Sequence, residues 1–214
     1  RQCVLGRETA IQKMVWNEDG WLRLACGGRF GQWETEEPEG IAEYIFPEEE
    51  GKDYGRDDFG RVLDVRYTSL SYDSYASLTE RPGYLRLYGQ ESLNSCCNVS
   101  MIARRQQARH VQVETSIDFV PTCREQMAGL AYMYDTGNFY LLVKTRDEEY
   151  GCPSLDLKIP AKLRLIRSSH FAVDDVITPI AIPENGPLFL RTVTTEDGLH
   201  AKFYYSLDGQ NFLE

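Results

Sequence analysis

Positive charge is scarce in this 214-residue chain, which has 23 Lys and Arg against 33 Asp and Glu and a formal net charge of −10. A surface that binds nucleic acid concentrates Lys and Arg, because these side chains displace counterions from phosphate. The deficit therefore argues against nucleic acid as a partner and favours an uncharged or cationic ligand. With 42% hydrophobic residues, the chain is long enough to bury one sizeable core.

Long apolar runs are also missing. No stretch approaches the roughly 20 apolar residues that span a bilayer, and no charged segment followed by an apolar one resembles a signal peptide. We therefore expect no membrane partner.

The chain has only three histidines, His110, His170 and His200, and none stands at ligand spacing from a cysteine or a carboxylate. We interpret His110 and His200 as surface residues. The acidic stretches FPEEEGKD, TRDEEYG and AVDDV lack the alternating spacing of a calcium-binding loop and are interpreted as solvated loops. The sequence therefore predicts neither a metal site nor a cofactor.

Cysteine is present without a recognisable pairing. The six cysteines have no CxxC spacing and are too sparse for a disulfide-stapled domain. Adjacent cysteines such as Cys96 and Cys97 have poor geometry for a mutual disulfide. We predict free, buried thiols in a reducing compartment. The six are Cys3, Cys26, Cys96, Cys97, Cys123 and Cys152.

No HExxH, GxSxG or glycine-rich phosphate loop is present, so no catalytic residue is assigned from a motif. One weaker candidate remains in VETSIDF, where Glu114 and Asp118 lie on one face of a predicted strand. That face opposes the apolar one and is expected to meet solvent, which argues against catalysis. Three tyrosines in YTSLSYDSYASL, Tyr67, Tyr72 and Tyr75, could stack on sugar rings or fill the core.

What the chain does have, from residue 60 onward, is short runs of period two separated by turn residues. HVQVETSIDF places Val111, Val113, Thr115, Ile117 and Phe119 on one face, as in a half-buried strand. GYLRLYG has the same alternation. GLAYMYDTGNFYLLVKT predicts a hairpin whose turn uses Gly137 at positive φ. LFLRTVTTEDGLHAKFYYSLDGQNF predicts at least three successive antiparallel strands. Such spacing is typical of an all-β sandwich or barrel.

The first 40 residues form a separate part. ETAIQKMVW would also suit a helix, but the turn signal NEDG followed by the alternating WLRLA favours a hairpin. The stretch CGGRFGQWETEEPEG is rich in glycine at its start and acidic after that, which is typical of a segment that connects two structural units. We predict a domain boundary near residue 40.

Three stretches, in this order, carry a resemblance to a known family: LGRETAIQKMVWNEDGWLRL, SLTERPGYLRLYGQESL with ARRQQ, and QMAGLAYMYDTGNFYLLV. They resemble the C-terminal part of β-xylosidases and α-L-arabinofuranosidases of glycoside hydrolase family 43. The resemblance implies a five-bladed β-propeller followed by a concanavalin A-like, jelly-roll β-sandwich. Residues 1–40 would be terminal propeller strands with a connector, and residues 41–214 the sandwich, with its last strands missing.

The resemblance also implies an activity. Family members are inverting hydrolases whose general base Asp, general acid Glu and pKa-tuning Asp belong to propeller blades upstream of LGRETA. The chain by itself is therefore expected to be inactive, with no catalytic residue of its own. Arg7 matches the arginine of the GRETA motif, which reaches the sugar pocket in the intact enzyme.

We expect an accessory domain that shapes the pocket and contributes to oligomer contacts in a cytoplasmic, homo-oligomeric enzyme. The implied substrate of the parent is a xylo-oligosaccharide or an arabinoside. Two alternatives stay open: an independent carbohydrate-binding module that uses the exposed tyrosines, and an active site built on Glu114 and Asp118.

Overall fold

The computed structural model describes residues 10–40, 55–60, 62–70, 76–95, 97–146 and 160–214. These residues contain fourteen β-strands and no helix. The chain divides into two compact units, Arg1–Asp57 and Asp58–Glu214. The boundary predicted near residue 40 adjoins residues 41–54, which lie outside the described residues, so the domain assignment stays a prediction.

The first unit contains a hairpin formed by β1 (Met14–Trp16) and β2 (Leu22–Leu24), which pair antiparallel. Its turn is closed by the Gly20 amide, which donates to the Asn17 carbonyl at 2.9 Å. Gly20 has a φ of +77°, a conformation that glycine adopts at little cost. The hairpin predicted around NEDG is therefore confirmed.

The second unit contains the remaining twelve strands, and every pair of these strands is antiparallel. The four shortest are β3 (Tyr67–Thr68), β4 (Ala76–Ser77), β5 (Arg86–Leu87) and β6 (Ala103–Arg104). The others are β7 (Gln112–Ile117), β8 (Ala128–Asp135), β9 (Asn138–Arg146), β10 (Ala161–Ser169), β11 (Ala172–Asp175), β12 (Ile180–Ile182), β13 (Leu188–Thr194) and β14 (Ala201–Ser206).

Two sheets carry the architecture. The larger has the order β11-β10-β9-β8, with β12 also paired to β10, and the smaller has the order β14-β13-β7. Two short ribbons, β3-β6 and β4-β5, complete the described pairings. GYLRLYG forms only the two-residue β5, with both residues exposed, so the half-buried strand predicted there is much reduced.

The core lies between the two sheets. Buried leucines of both meet there, with Leu142 and Leu163 from the larger sheet and Leu188 and Leu190 from the smaller. Removing such a side chain from water contributes about 1.5–3 kcal/mol. The predicted all-β antiparallel sandwich is confirmed.

Strand β9 departs from simple alternation, because all of its residues from Leu142 to Arg146 are buried. The register puts Val143 and Thr145 on the face opposite Leu142, so the larger sheet is covered on both faces at this end. Strands of this kind read as continuous apolar runs rather than alternating ones, which is how YLLV appears in the sequence.

The hairpin between β8 and β9 is confirmed, but the expected conformation of Gly137 is wrong. Gly137 does not occupy the left-handed region. A Cβ added at Gly137 would instead lie 3.0 Å from the Phe171 ring. Glycine is needed at this position because another side chain approaches closely, not because of the turn's φ.

The last predicted group of three strands is formed in part. Strands β13 and β14 pair as expected, and Gly198 and Gly209 adopt positive φ in the two predicted turns. The third strand is represented by a single antiparallel bridge between Tyr205 and Leu213.

Candidate functional site

Most of the residues that the sequence proposed for sugar contact lie outside the described residues. Arg7, Tyr72 and Tyr75 are among these, and their roles stay predictions. Tyr67 is described and half-buried, with its ring 6.3 Å from that of Phe59 and 5.9 Å from the Arg104 guanidinium. These neighbours favour a structural role for Tyr67.

Glu114 lies on the outward face of the smaller sheet, directly opposite Arg191 of β13. Its carboxylate accepts hydrogen bonds from Arg191 Nη2 at 2.7 Å and Nε at 3.0 Å. The Arg191 guanidinium in turn lies 3.5 Å from the centroid of the Phe212 ring. Arg191 thus joins a carboxylate on one strand to an aromatic ring of the C-terminal segment.

Asp118 has the same kind of environment. Its carboxylate accepts a 2.7 Å hydrogen bond from Arg81, and the Arg81 guanidinium lies 3.7 Å from the centroid of the Tyr84 ring. The hydrogen bond to Asp118 raises the pKa of the Arg81 guanidinium. Asp118 therefore ties the segment before β5 to the end of β7.

This arrangement does not support hydrolysis. Glu114 and Asp118 are four residues apart on extended chain, which separates them by about 13 Å at 3.3 Å per residue. An inverting glycosidase requires its two carboxyl groups about 6.5–9.5 Å apart. Each carboxylate is also paired with an arginine and turned outward. The geometry contradicts an active site built on this pair.

A buried charged cluster lies at one end of the core, and sequence reasoning missed it. Lys144 and Arg146 are 1% and 2% exposed. The Lys144 ammonium donates to the Glu184 carbonyl at 2.6 Å, and burial lowers the pKa of Lys144. An Arg146 nitrogen lies 3.8 Å from the Glu184 carboxylate.

A cavity of 80 Å³ borders Lys144, between the loop that follows β12 and Leu207. The sequence signal for this cluster is the pair of cations in YLLVKTR, inside an otherwise apolar run. Because the ammonium holds the loop carbonyl, we interpret the cluster as an anchor for that loop.

A wider, open depression of 510 Å³ lies beside the turn between β13 and β14 and is lined by His110, Glu196, Asp197 and Lys202, among others. The His110 ring nitrogen Nδ1 is 2.6 Å from the Thr194 carbonyl, so this nitrogen carries the proton. Hydrogen bonding, chiefly from the Thr195 hydroxyl, lowers the pKa of Asp197. Both side chains are hydrogen-bonded to residues at this turn. We therefore do not interpret them as an acid and a base that act together on a ligand in the depression.

The turn between β10 and β11 was not singled out by the sequence. It consists of His170 and Phe171, which have φ values of +52° and +67°. The Phe171 side chain is 63% exposed. Left-handed backbone at a bulky aromatic is uncommon and costs free energy, and in this turn two consecutive residues adopt it.

The interpretation of AVDDV as a loop is wrong, because Ala172–Asp175 form the exposed strand β11, whose two carboxylates make ion pairs with β10. Asp175 binds Arg164 at 2.8 Å and Asp174 binds Arg167 at 2.7 Å. FPEEEGKD and most of TRDEEYG lie outside the described residues. Within the described part of the chain, no group of three or more His, Cys, Asp and Glu side chains is arranged to hold a metal ion.

The described cysteines, Cys26, Cys97 and Cys123, are thiols rather than disulfides, as predicted. The expectation that they are buried is wrong for Cys26 and Cys97, which are exposed. Cys26 lies two residues after the largely exposed hairpin strand β2. Within the described ranges, no helix is long and apolar enough to cross a membrane.

Comparison with known proteins gives the fold a family. Residues 56–214 match the model of the β-xylosidase C-terminal concanavalin A-like domain. The chain is 40% identical over 153 residues to a β-xylosidase of Bacillus subtilis strain 168, an alignment that covers 70% of this chain and 28% of the relative. It is 36% identical over 211 residues to a xylan 1,3-β-xylosidase of a Vibrio species, covering 99% of this chain and 37% of the relative.

Among solved structures, a xylan β-1,4-xylosidase from Bacillus halodurans C-125 is similar over 98% of this chain, with a TM-score of 0.75 and 35% sequence identity. This chain covers 38% of that protein, so it spans well under half the length of the relatives that it matches. The resemblance drawn from the three sequence stretches is confirmed. The chain belongs to the family of the β-xylosidase C-terminal concanavalin A-like domain, which its residues 56–214 match.

Proposed function

We propose that this chain is the accessory C-terminal part of a β-xylosidase-type hydrolase that acts on xylo-oligosaccharides. In this role it shapes the active-site pocket and contributes to oligomer contacts. One observation carries the proposal: the similarity to the Bacillus halodurans xylosidase runs through 98% of this chain but only 38% of that enzyme.

The chemistry is assigned to the region that precedes the matched segment in the relatives. Inverting hydrolysis needs an acid and a base on opposite sides of the scissile bond. The sequence analysis considered one candidate carboxylate pair, Glu114 and Asp118, and each of these carboxylates forms an ion pair with an arginine. In the longer protein, the Arg7 guanidinium contacts the substrate, since its fixed fork of donors suits sugar hydroxyls and nearby carboxylates.

The experiment compares the longer protein, which carries the preceding region, with a version that lacks residues 58–214. We expect kcat/KM for nitrophenyl β-D-xyloside to fall at least ~10-fold on deletion, because small displacements of pocket residues are costly. Light scattering should report fewer subunits per assembly. The control is Leu199→Ala in the longer protein, since Leu199 is an exposed turn residue. Unchanged kcat/KM and an unchanged number of subunits after deletion would overturn the proposal.

A further inference from the structure

The turn between β10 and β11 places an aromatic ring where glycine is normally found. Ser169 and Ala172 pair directly, so the loop has two residues, His170 and Phe171, both at positive φ. Such a type I′ turn is usually built from Asn and Gly, which tolerate left-handed backbone. Elsewhere in the described residues this conformation is taken by glycines, as at Gly198 and Gly209, and by one further aromatic residue, Phe59, at a φ of +49°.

The neighbouring β8–β9 hairpin holds this turn in place. The Phe171 amide donates to the Gly137 carbonyl at 3.1 Å, and the His170 amide donates to Asn138 Oδ1 at 3.2 Å. The Phe171 ring lies against Gly137, where an added Cβ would approach it to 3.0 Å. Part of the ring is therefore fixed against backbone, while the side chain as a whole is 63% exposed.

Polar groups lie in the β8–β9 turn, which the ring contacts at Gly137. Asp135 Oδ1 accepts hydrogen bonds from the Gly137 amide at 2.8 Å and from Asn138 Nδ2 at 2.9 Å. These bonds, that from the Asn138 side chain foremost, lower the pKa of Asp135 and keep it ionised. Tyr134, which precedes Asp135 in the chain, is 77% exposed. An orienting carboxylate, an imidazole and exposed rings thus share one end of the larger sheet.

An exposed phenylalanine with left-handed backbone destabilises the folded chain, and a glycine at this position would form the same turn. Left-handed backbone at a bulky residue costs free energy, and glycine would relieve it. The exposed part of the ring also adds apolar surface to water instead of to the core. Strain at an exposed, well-held side chain is the pattern expected of a pre-organised binding residue.

We infer that Phe171 is a stacking platform for one sugar ring of a xylo-oligosaccharide, with Asp135 and His170 as hydrogen-bonding neighbours. The inference rests on the proposed function, which supplies the class of sugar. An aromatic face matches the C–H face of a pyranose, and a few fixed polar groups orient the hydroxyls.

The test is a titration of the ¹⁵N-labelled 214-residue chain with xylohexaose, followed by amide chemical shifts. We expect saturable shifts of the amides of Gly137, Asn138, His170 and Phe171. Phe171→Ala should weaken binding about tenfold, since stacking on an aromatic contributes roughly 1.4 kcal/mol. Phe171→Tyr should retain binding. The matched control is Leu199→Ala, which removes a comparably exposed apolar residue from the turn between β13 and β14.

Phe171→Leu keeps an apolar side chain against Gly137 but removes the flat face, so it separates stacking from simple packing. Weaker binding by Phe171→Leu, with an unchanged melting temperature, supports the inference even where Phe171→Ala is unstable. Absence of saturable shifts in the unmodified chain, or equal affinity of the Phe171→Leu variant, would overturn it. Either result leaves the proposed accessory function standing, since that is judged by the hydrolysis rates of the longer protein.

Discussion

Glu114 and Asp118 show what alternation along a strand predicts about single residues. The sequence places both on the face opposite Val111 and Ile117, and the structure has both carboxylates exposed on that face. Their partners were not predictable, because Arg191 lies 77 residues from Glu114 and Arg81 lies 37 residues from Asp118. Pattern assigns a face to a residue, whereas its partner depends on which strands become neighbours.

Asp208 gives a prediction at this scale, because its carboxylate organises the turn after β14. Oδ1 accepts from the amides of Gln210 and Asn211, each at 2.8 Å, and Oδ2 accepts from the Asn211 side chain at 2.7 Å. These bonds, led by that from the Asn211 amide, hold the pKa of Asp208 far below its usual range. The carboxylate therefore stabilises the fold at neutral pH.

The sign of the pH effect follows from this depressed pKa. The contribution is fully present above the unfolded pKa of about 3.9 and is lost as the pH falls toward the folded value. We expect Asp208→Ala to lower the melting temperature most at pH 7, with a difference from the unmodified chain that shrinks below pH ~4. Thermal unfolding followed by circular dichroism between pH 7 and ~2.5 measures this. A difference that stays constant over the whole range would contradict the assignment.

At the scale of elements, the hairpin of β8 and β9 was predictable and the contact at its turn was not. The cluster Asp135-Thr136-Gly137-Asn138 lies between two β-rich runs and correctly indicates the turn. The sequence assigned a conformational role to Gly137, whereas the structure uses this glycine to admit the Phe171 ring from another hairpin. The need for glycine at position 137 therefore comes from a tertiary contact and not from the local backbone conformation.

A double-mutant cycle tests the contact between these two hairpins. Gly137→Ala would push a Cβ to 3.0–3.2 Å from ring atoms of Phe171, so we expect it to destabilise the chain by about 1 kcal/mol. In a Phe171→Ala background the ring is gone, and the same substitution should cost much less. Urea unfolding of the four proteins gives the coupling free energy, which we expect to be at least ~0.5 kcal/mol. Additive effects would contradict the contact between the Phe171 ring and residue 137.

At the scale of the whole molecule, periodicity predicted an antiparallel all-β sandwich or barrel, and the resemblance of three sequence stretches to a known family implied the sandwich. Neither could predict that β7 pairs with β13 rather than with its neighbour in sequence, because strand order is decided by core packing. The buried cations of β9 were equally hidden, since Lys144 and Arg146 become internal only when the loop carrying Glu184 folds over them. The local sequence pattern predicted strands with one buried face. The order in which these strands pair depends on contacts between residues far apart in the sequence.

The most direct test of the account compares two proteins in one assay, the 214-residue chain and the longer protein that carries the preceding region. Both are incubated with nitrophenyl β-D-xyloside, and nitrophenol release is followed. The account predicts turnover by the longer protein and none above the buffer blank by the chain, because the acid and base are assigned to the preceding region. Turnover by the chain alone, or none by the folded longer protein, would contradict it.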